Sequence, residues 1–125
     1  MSFDWDNFRK LAEELRQREG EAAKRTAISR LYYAIYWRAR ILLEDEGFVY
    51  RRGEQTHQQI WQEFKHCGRT HRAIGFLGIE LRDNRVEANY VSEIENIEAL
   101  TKSSFEIAEK ITVYLQQIEK KTENK

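Results

Sequence analysis

The sequence predicts an all-α protein, an up-and-down bundle of about five helices. Three observations carry this prediction. The 125 residues hold no proline, the residue that breaks a helix by removing a donor and crowding the preceding turn. Apolar side chains recur at three- and four-residue spacing along most of the chain, the period of a helix face rather than of a strand. No βαβ alternation, glycine-rich phosphate loop or Gly-x-Ser-x-Gly turn interrupts that pattern.

The first helix is expected over 4–18, with Phe8, Leu11, Ala12 and Leu15 as its apolar face and Gly20 beyond its end. The second, 21–46, is the longest unbroken pattern, and Gly47 stops it as a residue free to take left-handed backbone. From Leu31 to Leu43 it is apolar on nearly every side, as befits a helix packed on several neighbours. Residues 47–55 read as a loop. Thr56 is expected to cap a third helix that reaches Cys67 and buries Ile60, Trp61 and Phe64. A fourth helix is expected over 70–90 through Ile74, Leu77 and Leu81. Its Gly75 and Gly78 either weaken it or mark the close approach of another helix.

Ser92, with Glu95 three residues on, reads as a capping box that opens the fifth helix. The stripe Ile94, Ile97, Thr101, Ser104, Ala108, Ile111, Leu115 and Ile118, flanked by the row Leu100, Ile107 and Tyr114, predicts contact with more than one partner helix. Residues 1–120 are thus expected to form a single helical domain and 121–125 a polar tail.

A single cysteine excludes an internal disulfide framework and suits a reducing, cytoplasmic setting. No apolar run approaches the ~18 residues of a membrane-spanning helix, and the N-terminus does not read as a signal peptide. His57, His66, Cys67 and His71 are the soft ligands, but they lack paired C-x-x-C or H-x3-H spacing. No metal or other cofactor is therefore expected, and Cys67 is read as a small core residue at a helix end.

Twenty-one basic residues balance 21 acidic ones, which excludes a uniformly basic nucleic-acid binder. The balance is a sum of unequal parts. Residues 22–86 hold twelve basic and seven acidic groups, and 22–43 carry Lys24, Arg25, Arg30, Arg38 and Arg40 with no acid at all. Such a stretch is either a solvated face paired to acidic helices or an anion-binding face.

The segment from Leu81 to Tyr90 (LRDNRVEANY) is polar between two apolar stretches. Arg82 and Arg85 stand about one turn apart, with Asn89 one turn further on the same face. Two guanidiniums and an amide suit a phosphodiester, because the arginines can fork onto its oxygens. Tyr90 could stack on a base or donate its hydroxyl. The alternative is an Arg–Glu network that ties the fourth helix to its neighbours.

Ala27-Ile28-Ser29-Arg30-Leu31-Tyr32-Tyr33-Ala34, then Thr56-His57, then Leu81 to Tyr90 resemble the HEPN family. Its pattern is a helix bearing S-R-x-Y-Y-A, a His opening the next helix, and R-x-x-A-D-Y near the end of a later one. The likeness spans roughly residues 8–118. It implies a homodimeric bundle, often a metal-independent ribonuclease toxin encoded beside a small nucleotidyltransferase antitoxin, with an R-x4–6-H motif in a composite cleft. This sequence departs from that motif. No histidine follows His71; Ala88 stands where the toxin-type His belongs, and Asn89 replaces the Asp of A-D-Y.

Three readings follow. The preferred one is a HEPN-type module, part of a toxin–antitoxin-like or defence pair, that holds RNA or a nucleotide through Arg30, Tyr33, Arg82, Arg85 and Tyr90. The second is an endoribonuclease with a variant site of Arg85, Asn89, Tyr90 and His57. The third is a purely structural dimerisation module, which predicts an arginine face spent in salt bridges.

Overall fold

A computed structural model describes residues 2–51 and 55–123. Within them lie five helices and no strand: α1 (Asp6–Arg16), α2 (Glu21–Asp45), α3 (Thr56–His66), α4 (Arg69–Tyr90) and α5 (Ile97–Glu123). The all-α bundle expected from the sequence is present. Of the predicted loop 47–55, residues 52–54 lie outside the described part.

α2 is the axis of the molecule and packs on α1, α4 and α5, while α3 packs mainly on α4. Residue pairs fix the directions. Lys24 Nζ donates to the carbonyls of Arg16 (2.9 Å) and Arg18 (3.1 Å), so α2 starts where α1 ends. Lys24 meets Glu98 and Arg38 meets Glu119, so α2 and α5 run the same way. Arg25 reaches the Ala88 carbonyl, and Asn84 Nδ2 donates to Ser104 Oγ, so α4 opposes both. α1, α2, α4 and α5 therefore alternate in direction, up and down.

The near-complete apolarity of α2 has its predicted cause. Ala27, Ile28, Leu31, Tyr32, Ile35 and Tyr36 are all buried, on more than one side of the helix. The leucine and isoleucine side chains among them each contribute about 1.5–3 kcal/mol when fully buried. Gly78 marks a close helix approach: a Cβ there would run into the Trp61 indole of α3. Gly47 has φ +99°, the left-handed stop expected after α2.

The local expectations fail at five points. α1 is shorter than 4–18, and Leu11 lies on the surface while Ala12 and Leu15 are buried. Gln55, not Thr56, holds the cap position of α3, without a side-chain cap. Cys67 is exposed rather than in the core. Ser92 and Glu95 cap nothing: α5 begins at Ile97, and Asn96 Oδ1 accepts the Ala99 N–H at 3.0 Å. The reason is Arg25, whose guanidinium holds the Val91 (2.6 Å) and Ser92 (3.1 Å) carbonyls and keeps that stretch out of the helix. Finally, α5 continues through Glu123, into the segment read as a tail.

The acid-free stretch of α2 turns out to be divided among tasks. Lys24 caps the end of α1, Arg25 the end of α4, and Arg38 forms a two-pronged pair with Glu119 at 2.6 and 3.2 Å. Arg30 and Arg40 remain near the cleft described next. Among the described residues no helix is long and apolar enough to cross a membrane.

Candidate functional site: an arginine-lined cleft

α2, the first turn of α3 and the middle of α4 enclose a cleft of about 430 Å³. α2 contributes Tyr33, Tyr36, Trp37 and Arg40 at helical three- and four-residue steps. α3 contributes Gln55, Thr56 and His57, and α4 contributes Arg82 and Arg85. The loop before α3 is held in place by Gln59, which donates to the Arg51 carbonyl (2.9 Å) and accepts the Arg51 N–H (2.8 Å). That clamp sets where the first turn of α3 meets the cleft.

Arg85 is only 9% exposed, and its guanidinium lies 5.1 Å from the Tyr32 ring centre and 5.6 Å from that of Tyr33. Among the described residues no carboxylate pairs with it, and its buried Nε has no hydrogen-bond partner. Arg82 Nε is likewise buried and unbonded, and its guanidinium lies 3.8 Å from the Asp83 carboxylate. Arg40 donates to the Tyr36 hydroxyl at 3.2 Å and lies 3.6 Å from Glu44. A buried cation without an anion is costly, and aromatic faces compensate for only part of that cost. The first turn of α3, with no side-chain cap, adds the positive end of a helix dipole.

His57 stacks on Tyr36, ring centres 4.0 Å apart, and its Nδ1 lies 2.7 Å from the Tyr32 hydroxyl oxygen. That oxygen also accepts the Trp61 indole N–H at 3.0 Å. Burial raises the Tyr32 pKa, so the phenol keeps its proton. Indole can only donate, so the one phenolic proton is free to go to His57 Nδ1. His57 is then neutral with its proton on Nε2. Burial first, then the fields of Arg85, Arg82 and Arg40, push its pKa down to about 4, which agrees with the neutral form.

Of the residues named from sequence, Tyr33, His57, Arg82 and Arg85 meet in this cleft. Arg30 is at its edge, 5.6 Å from the Tyr33 ring centre and 5.1 Å from that of Phe8. Asn89 does not line the cleft; with Arg30 it borders a separate depression of about 340 Å³ near Ala22 and Thr26. Tyr90 is 74% exposed at the last turn of α4 and does not line it either. Asn89 shares the helical face of Arg82 but lies two turns further along the axis, and Tyr90 is turned away from that face. Tyr36, Trp37 and Arg40 were not expected here, although their spacing from Tyr33 on one helix was the signal that could have found them.

His71 pairs with Glu46 at 3.1 Å, and Cys67 Sγ donates to the Glu63 carbonyl at 3.1 Å. Among the described residues no three His, Cys, Asp or Glu side chains gather as metal ligands would. Compared with protein-family models, with curated proteins and with solved structures, the chain matches none.

Proposed function

We propose that the protein binds the phosphate groups of RNA or a nucleotide in the α2–α3–α4 cleft, as a HEPN-type module. One observation carries the reading: Arg85 is nine-tenths buried, opens on the cleft, and has no carboxylate partner among the described residues. A site built this way receives its counter-anion from outside. Arg82 supplies the second fork, His57 Nε2–H a neutral donor, and Tyr33 an aromatic face on which a base can stack. Beyond this, the sequence resemblance suggests a homodimer that brings two clefts together, and a small nucleotidyltransferase as partner in a toxin–antitoxin-like or defence pair.

The second reading, a metal-independent endoribonuclease, is favoured by the presence of His57 beside two arginines, the groups that would move a proton and stabilise a phosphorane. The tautomer weighs against it. Nδ1 is taken by Tyr32 and Nε2 already holds a proton, so neutral His57 offers a hydrogen bond rather than a base. Binding is therefore the preferred activity.

The test is equilibrium binding of a labelled single-stranded RNA and of ATP, in EDTA, with RNA integrity followed on a gel. Saturable binding that Arg82→Ala weakens, with the RNA intact, supports a binding module. Cleavage in EDTA that His57→Ala abolishes supports the nuclease instead.

A further inference from the structure

α1 has 11 residues, whereas α2 has 25 and α5 has 27. At ~1.5 Å per residue α1 covers about 17 Å of a seam roughly twice that length. The two walls meet at the C-terminal end of α1, where the Arg16 guanidinium lies 3.9 Å from the Phe105 ring centre. Beside and beyond the N-terminal turn of α1 the α2–α5 seam is open, as a groove of about 880 Å³.

The groove exposes Ile41 of α2 (46%) and Phe3 (50%) over the buried Ala34 and Leu42, beside Thr112 and Gln116 of α5. Its walls are anionic. The two cations that line it are spent on its own carboxylates, Arg9 on Asp6 at 2.7 Å and Arg38 on Glu119 at 2.6 Å. Asp4, Asp45 and Glu109 line the groove with no ion pair among the described residues. This face repels nucleic acid. It is also separate from the arginine cleft: Trp5 lines the groove, Trp37 lines the cleft, and the two rings stack between them at 4.3 Å.

Exposed apolar side chains rimmed by carboxylates have the complement of an amphipathic helix whose apolar stripe is flanked by lysine or arginine. We propose that the groove docks a short basic amphipathic helix of a partner protein, which extends the α1 layer along the rest of the α2–α5 seam. The binding energy comes from covering Ile41 and Phe3, and the selectivity from Asp45 at the end of α2 and Glu109 on α5.

A labelled synthetic peptide of about 14 residues, roughly four turns, tests this, with leucines at i, i+3, i+4 and i+7 and lysines elsewhere. Controls replace its lysines by glutamate or its leucines by serine. The Leu/Lys peptide is expected to bind the full chain saturably at one site, with both controls weaker by about tenfold or more. Ile41→Asp, and separately Asp45→Lys with Glu109→Lys, are expected to weaken the Leu/Lys peptide by about tenfold while leaving nucleotide binding in the cleft unchanged. These side chains are exposed, so the substitutions leave the core intact. Equal binding of the Leu/Lys and Leu/Glu peptides, or affinity untouched by either set of substitutions, overturns the proposal. So does a wild-type dimer in sedimentation that the Asp45→Lys, Glu109→Lys chain loses, because the groove is then filled by a second copy.

Discussion

The Tyr32 hydroxyl oxygen and His57 Nδ1 lie 2.7 Å apart, and this contact decides what the histidine can do. Trp61 donates to the same oxygen, so the phenolic proton goes to the imidazole and the imidazole proton to Nε2. Nitrogen-detected NMR on the wild type is expected to show a neutral His57 with Nε2 protonated throughout pH 5.5–8. Burial is the largest cause of its depressed pKa and the field of Arg85 comes next, so Arg85→Met should raise the His57 pKa above about 4.

The same histidine sets a pH dependence of stability. Its folded pKa is depressed to about 4, whereas the unfolded chain titrates near 6.5. Between those values the unfolded state binds more protons, so the His57 contribution is complete above pH 6.5 and lost as pH falls towards 4. Urea unfolding of the wild type is expected to show this decline, and His57→Asn to show a shallower one over the same window.

Gly78 separates structural from binding effects. A Cβ at this position meets the Trp61 ring directly, so Gly78→Ala should destabilise the chain by about 1–3 kcal/mol, the usual effect of overpacking. Trp61 also donates to Tyr32, so the loss should carry a change in the His57 chemical shift. Thermal unfolding followed by NMR of the folded fraction measures both.

Arg25 provides the matching test within the basic stretch of α2. It donates to the Ala88, Val91 and Ser92 carbonyls at 3.1, 2.6 and 3.1 Å. Arg25→Ala should cost about 0.5–1.5 kcal/mol of stability through its lost hydrogen bonds and leave nucleotide affinity unchanged. Denaturation and binding titration on one preparation distinguish it from Arg82 and Arg85.

These cases show where the sequence was legible. Period and proline content were enough for five helices, because they act through local backbone geometry and burial. The meeting of His57 with Arg82 and Arg85 was reachable once a family resemblance ordered the motifs. The end of α4 was not. Ser92 and Glu95 spell a capping box, but Arg25, distant in sequence, takes the carbonyls and moves the helix start to Ile97. Charge told a similar story: Lys24, Arg25 and Arg38 look like an anion-binding run, yet each is spent on a helix end or on Glu119. Which arginine is left without a partner depends on tertiary pairing, and so does the site.

The most direct measurement is urea unfolding of the wild type and Arg85→Met, each with and without a saturating nucleotide or short RNA. A buried cation awaiting its anion costs stability when the cleft is empty. Arg85→Met should therefore unfold at higher urea than the ligand-free wild type and gain nothing from ligand, while the wild type gains by about 2–3 kcal/mol near 100-fold excess over its Kd. An Arg85→Met chain that is less stable than the wild type and is still stabilised by ligand would contradict the account.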